Sequence, residues 1–148
     1  MKEYVLDANA LIRLFRDARG ADTVDDLIRQ AKVGRAHLSI SVVNLTEVVY
    51  VLARNFGHEK SFLCVDKARQ VVEAIPVEEQ MALDTAALRI RYKLELADCF
   101  AAELALRTRA TLVTANPESV KLGKQLKVLA LPRHSVELRD KARVIPSS

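Results

Sequence analysis

At 148 residues, half of them hydrophobic, the chain is long enough to bury one core and too short for two ordinary domains, which predicts a single domain over 1–148. A net charge of +4 suits a polyanionic partner without requiring one, and an aromatic content of 5% with no Trp argues against a base-stacking platform. No run approaches the roughly 20 apolar residues of a membrane span and no signal-peptide pattern precedes the first strand, which predicts a cytoplasmic protein with no membrane partner.

In chain order, short β-type runs alternate with longer helical patterns. "EYVL" (3–6) reads as a first strand, followed by helices over about 9–17 and 22–33, the second ending at Gly34. "HLSIS" (37–41) is the next strand, leading into helices at 42–56, closed by Gly57, and at 59–73. A strand at "AIPV" (74–77) precedes helices at 81–94 and 97–109, and "ATLVT" (110–114) precedes a short helix at 117–125. "KVLAL" (127–131) is the last strand, and the tail "RDKARVIPSS" reads as poorly ordered or free to dock. Alternation of this kind predicts an α/β fold, a parallel sheet covered by helices on both faces.

Neither cysteines nor histidines point to chemistry. Cys64 and Cys99 lie in apolar helical contexts with no paired metal spacing, so both read as small core residues. His37, His58 and His134 are too far apart to form a local ligand pair and read as solvated or loop residues. Only four glycines, all isolated, exclude a Gly-rich phosphate loop.

The acids are more informative. In open parallel sheets, ligands bind beyond the carboxyl ends of the strands. Asp7 follows the first strand and Asn116 follows "ATLVT", which lets both face one cleft. Each also has a plain structural explanation. Asp7 can cap a helix, and "TANPES" places Asn116 as an N-cap before Pro117 and Glu118. On the 42–56 helix, Leu45, Val48, Val49, Leu52 and Phe56 form the core stripe, while Glu47 points away among Val43, Tyr50 and Val51, which reads as a second packed surface around an acid. Arg54, further along that side, can neutralise Glu47 or meet a phosphate. Asp98 opens a helix whose same-side neighbours Ala101, Ala102 and Ala105 are small, so backbone or ligand can approach its carboxylate.

Asp7 in "YVLDANAL", Glu47 in "LTEVVYVL", Asp98 in "LADCFAAELAL" and Asn116 in "TLVTANPE" occur in an order and at separations that resemble the PIN-domain nucleases, most closely the VapC-like toxins of type II toxin–antitoxin pairs. The resemblance covers about residues 3–130. It implies a PIN-like fold, with a short, mostly parallel sheet of about five strands flanked by helices, a core over about 3–131 and a C-terminal tail over 132–148. It also implies a Mg²⁺-dependent endoribonuclease in which Asp7, Glu47 and Asp98 hold Mg²⁺ or Mn²⁺ and activate a water on an RNA phosphodiester. The fourth family position, often Asp and sometimes Asn, is Asn116 here; it can offer a neutral oxygen or orient a water. Asn9 resembles the small polar residue that contacts the phosphate or water. A homodimer and a cognate antitoxin seated in the cleft follow from the same resemblance. The alternative is a PIN-like module that binds RNA or a partner and has weak or no catalysis. The donor set is consistent with a metal, since two carboxylates about 4 Å apart repel by roughly 4 kcal/mol at an effective dielectric near 20, and hard divalent ions prefer oxygen ligands.

Two rival chemistries lack their residues. A phosphatase of the haloacid dehalogenase type needs a second Asp two positions after the first, where this chain has Asn9. A receiver domain needs an acidic pair and a late lysine that are not in register here.

Overall fold

The computed structural model describes residues 1–132. The tail beyond, with His134 and the basic residues Arg133, Arg139, Lys141 and Arg143, lies outside the described residues.

Five strands form one parallel sheet in the order β3-β2-β1-β4-β5. They are β1 (Lys2–Leu6), β2 (Ala36–Ser41), β3 (Val72–Ile75), β4 (Thr111–Thr114) and β5 (Val128–Ala130). The helices are α1 (Ala8–Phe15), α2 (Ala21–Lys32), α3 (Val42–Phe56), α4 (His58–Arg69), α5 (Glu79–Arg91) and α6 (Leu96–Thr108), with a 3-10 helix at Pro117–Leu122. The α/β reading and its parallel sheet are borne out.

Alternation along each strand divides the interior into two layers. Leu6, Leu38, Ile40, Val72 and Val113 join α1 to α4 in one core, where Leu11, Leu14, Phe15, Val48 and Leu52 are fully buried. Val5 and Leu112 face the other way onto α5 and α6, with Leu94, Cys99 and Leu104. Both cysteines are free and buried, as expected of small core residues. Among the described residues no helix is long and apolar enough to cross a membrane.

Several boundaries differ from those expected. The third strand runs from Val72 to Ile75 and not over 74–77, because its pairing with β2 starts at Leu38↔Val72 and Pro76 has no N–H to continue the ladder. The preceding helix therefore stops at Arg69, short of 73. The segment expected as a helix over 117–125 is a 3-10 helix that ends at Leu122. Gly20, the N-cap of α2, has φ +94°, a conformation that favours glycine, and a Cβ there would press on Pro132 at 3.1 Å.

His37 is neither free nor in a loop. It stands on β2 between Glu3 of β1 and Glu73 of β3, with Nδ1 2.6 Å from Glu3 Oε2 and Nε2 3.0 Å from Glu73 Oε1. The Glu3 hydrogen bond, more than the Glu73 contact, raises the His37 pKa above its ordinary value. Such a group stabilises the fold fully below the unfolded-state pKa of about 6.5 and loses that contribution as pH rises through the raised folded value. The urea midpoint of the parent should therefore exceed that of His37→Gln by more at pH 6 than at pH 9; equal gaps at the two pH values would show that the ladder carries no net charge effect.

Candidate active site

The strand order places β1 at the centre, with β2 and β3 on one side and β4 and β5 on the other. The crevice between β1 and β4, at their carboxyl ends, is thus the topological switch point where ligands bind in open α/β sheets. Asp7 is the first residue after β1. Its N–H donates to Val113 O of β4 (3.1 Å) and its Oδ1 accepts from Ala10 N (2.9 Å), which makes it the N-cap of α1. Capping and a cleft position are therefore not alternatives at this residue.

Burial, to 3% exposure, is the main reason the Asp7 carboxyl is pushed up to about 6, with the charges of Asp98 and Glu47 adding to it. Hydrogen bonds from Thr114 and the Ala10 N–H work in the opposite direction. Glu47 and Asp98 are likewise raised, each chiefly by desolvation; Glu47 feels the Asp98 charge as well. Residues from β1, α3 and α6 thus bring three acids close enough to feel one another. None of the three forms an ion pair with a described residue.

Asn116, after β4, holds two sides of the crevice together. Its Nδ2 donates to Asp98 Oδ2 at 2.6 Å, while its Oδ1 accepts the Glu118 N–H at 2.9 Å. Its own N–H donates to Thr114 Oγ1 at 3.0 Å, and Thr114 in turn hydrogen-bonds Asp7. A backbone N–H can only meet an oxygen, so the Glu118 contact fixes the amide with its NH₂ toward Asp98. One of the two lone pairs of the oxygen expected to serve a cation or water is thus taken by the cap.

Asn9 is exposed on α1, with its Oδ1 taken by Arg13 Nε at 3.2 Å. Arg13 is buried, and also donates to Arg19 O (3.1 Å) and Pro132 O, so it anchors α1 to the chain leaving β5. Arg54 does not neutralise Glu47. It is exposed and lies over the Tyr50 ring one turn back on α3, 5.6 Å from its centre. The second packed surface expected around Glu47 is not formed by the described residues either, since Tyr50 is 60% exposed.

Oxygen donors alone line the crevice, the set that suits a hard divalent ion. Among the described residues no three of His, Cys, Asp and Glu stand close enough to enclose an ion, so the acids form an open cluster. The carboxamide of Asn44, one turn before Glu47 and 1% exposed, donates to Ala97 O at 2.9 Å, next to Asp98. Its Oδ1 is buried with no described partner and adds a neutral oxygen between α3 and α6.

A PIN-domain family model matches residues 4–124, a span that contains all four of these polar positions. The chain belongs to the PIN-domain family. The resemblance read from its motifs is borne out. No curated protein matches the sequence. Solved structures that share the PIN fold include VapBC2 from Rickettsia felis bound to a DNA fragment from their promoter, at 21% identity and a TM-score of 0.69 over 87% of this chain and 98% of that one. A toxin–antitoxin complex from Klebsiella pneumoniae matches at 23% identity and 0.64, over 86% and 96% of the two chains. VapBC-1 from nontypeable Haemophilus influenzae matches at 19% and 0.65, over 86% and 97%. At these identities the likeness is one of fold.

The motif pattern does not single out Thr114, Asn44 or Arg13. Thr114 lies inside the quoted "TLVTANPE", two residues before Asn116, and Arg13 is a cation amid the apolar "LIRLF"; these are the signals they leave.

Raising a carboxyl from 3.8 to about 6 corresponds, at 1.36 kcal/mol per unit, to about 3 kcal/mol of folding free energy. Because the folded state binds the proton more tightly, the loss develops as pH rises from about 4 to about 6 and is complete above that. Asn retains the cap and removes the charge. In chelator, Asp7→Asn should therefore unfold at higher denaturant than the parent at pH 7.5, with the gap closing toward pH 4; a gap independent of pH would show that the carboxylate is not strained.

Proposed function

We propose that this PIN-domain chain is a divalent-metal-dependent endoribonuclease that hydrolyses RNA phosphodiester bonds, and that it is the toxin of a toxin–antitoxin pair. The observation that carries this reading is the convergence of Asp7, Glu47 and Asp98 at the sheet's switch point with no ion-pairing cation among the described residues. Such a cluster is suited to Mg²⁺ or Mn²⁺ and ill suited to remaining empty. Asp7, Glu47 and Asp98 would hold the ion. When bound, it lowers the pKa of its water and steadies charge on the phosphoryl oxygens.

The chain's own residues do the rest. Thr114 and Asn116 fix the Asp7 and Asp98 carboxylates by hydrogen bonds, so Asn116 acts by positioning Asp98. Asn9, oriented by Arg13, keeps its NH₂ free of described partners and is placed to donate to a phosphate. Arg54 lies exposed beyond Glu47 on α3, where it can meet the RNA backbone, although nothing but Tyr50 orients it.

The same reading takes in a cytoplasmic protein, one domain over 1–148, a cognate antitoxin and a homodimer. Two sets of large apolar side chains left in solvent support two protein contacts: Tyr50, Phe62 and Leu63 on α3 and α4, and Leu83, Ile90 and Leu96 on α5 and α6, with Ile90 88% exposed. The Klebsiella pneumoniae neighbour is a toxin–antitoxin complex, which favours an antitoxin as one of them.

Cleavage of RNA should require Mg²⁺ or Mn²⁺, stop in chelator, and fall by at least about 100-fold in Asp7→Asn and in Asp98→Asn while both variants stay folded. Millimolar Mg²⁺ should raise the melting temperature of the parent and barely move that of Asp7→Asn. A parent that cuts no RNA and ignores Mg²⁺ in both assays would leave the non-catalytic binding module as the better account.

Replacing Asn116 by Asp separates positioning from ligation. It removes the NH₂ that holds Asp98 and adds a carboxylate beside it. Calorimetric titration should show tighter Mg²⁺ binding, since the added charge favours a cation; unchanged or weaker binding in a folded variant would mean that the position serves only the Asp98 contact and the cap.

A further inference from the structure

At the opposite end of the sheet from the acids, a groove of about 1060 Å³ opens beneath the amino ends of β1, β4 and β5. Its walls carry Lys2, Arg109, Lys124 and Lys127, all exposed. None of these four cations makes an ion pair with a described residue. Glu3, the one acid on the wall, is engaged by His37. The groove therefore presents four positive charges with no ion-pair partner among the described residues, drawn from the start of β1, the end of α6 and the loop before β5.

Arg109 supplies a second observation. It is the C-cap of α6 in the left-handed conformation, φ 54° and ψ 38°, which glycine adopts freely and an L side chain only at a cost. The negative end of the α6 dipole accounts for one cation here. It does not account for three lysines from other segments converging on the same concavity. The left-handed turn ends the helix; that an arginine and not glycine occupies it points to something the cation meets.

The apolar part of the lining favours a phosphate backbone over a protein partner. Ala105, Ala110 and Leu126 are buried and Leu106, Val128 and Leu129 half-buried, so no large aliphatic side chain on the wall stands exposed as an anchor for a partner. Charge remains, and lysines and arginines gathered along one groove are suited to neutralising phosphates. From Lys2 to Asp7 the chain runs along β1, about 16 Å at 3.3 Å per residue, or about five phosphates at 3.4 Å per strand position.

We propose that this basic groove is a second RNA contact, which grips the substrate backbone at the amino edge of the sheet while the acids act at the carboxyl edge. The proposal rests on the nuclease reading and deepens it: the favoured substrate is an RNA long enough to engage both edges, and a short oligonucleotide forgoes one of them.

The test uses the full chain and the variant Arg109→Ala/Lys124→Ala/Lys127→Ala, none of which lies at the acid cluster. In chelator, so that nothing is cut, the variant should bind a single-stranded RNA of about 30 nucleotides at least about 10-fold more weakly than the parent. Its slope of log affinity against log salt should be shallower by about 2, the change for three lost phosphate contacts. With Mg²⁺, both proteins should cut a short oligonucleotide at the same rate. Lys124→Arg/Lys127→Arg should bind the long RNA as the parent does. Arg109→Gly should weaken RNA binding while raising the melting temperature by about 2 to 4 °C, since it relieves the left-handed strain. Long-RNA affinity and salt slope equal to the parent's in the triple variant would overturn the proposal, as would a parent groove that prefers oligoglutamate to RNA of equal charge. In either case, continued cutting of the short oligonucleotide would leave the nuclease reading standing. A parent that binds RNA through the groove but cuts none would sink the nuclease reading instead.

Discussion

One carboxylate oxygen of Asp7 accepts the Ala10 N–H at the start of α1, while the Asp7 backbone N–H is tied to Val113 at the end of β4. The acid is thereby fixed at the junction of the central strand, the first helix and the strand across the switch point, in surroundings that disfavour its charge. Everything around it answers that constraint. Thr114 donates to it, Asn116 donates to Thr114 and to Asp98, and the 3-10 helix after β4 starts on the oxygen of the same Asn116 amide. A single asparagine, through its carboxamide and its backbone N–H, thus joins a helix cap, a carboxylate on another helix and a strand end.

The second carboxylate can approach because α6 is lined with small residues. Ala101, Ala102 and Ala105 are buried to 1% or less, so the helix backbone lies close over β1 and β4 and brings Asp98, in its first turn, to the strand ends. Asn44 makes the corresponding link from α3, through Ala97 O, and so sets the helix bearing Glu47 against the helix bearing Asp98. The acids are placed by rigid elements and not by loops, which is how a cluster of like charges can be kept together at an acceptable cost in stability.

Much of this was legible in the sequence, and what was not fails for physical reasons. The run Val42–Phe56 has a clean 3.6-residue apolar period and ends at Gly57, so its bounds agree with the structure. The third strand slipped by two residues because "AIPV" satisfies β propensity, whereas the actual bounds are set by pairing with β2, which local sequence does not carry. The carboxylates could be found because strand ends and helix starts are local signals. Thr114, Asn44 and Arg13 could not, because their partners Asp7, Ala97 and Pro132 are remote in sequence. Arg54 shows the converse: it lies two turns beyond Glu47 on α3, yet its guanidinium stands over the Tyr50 ring and makes no ion pair with Glu47.

The position of β1 also fixes when the cleft can exist. The strand made first lies in the middle of the sheet, yet Tyr4 pairs with Thr111 and Leu6 with Val113. During synthesis, at about 5 to 20 residues per second, one side of β1 waits several seconds for its neighbour. Thr114 and Asn116, which hold Asp7 and Asp98, follow at once behind that neighbour. An incomplete chain therefore carries Asp7 and Glu47 on a half-built sheet, with their geometry unset. The order of synthesis therefore leaves the acids without the hydrogen bonds that fix them until β4 and the residues just behind it have been made.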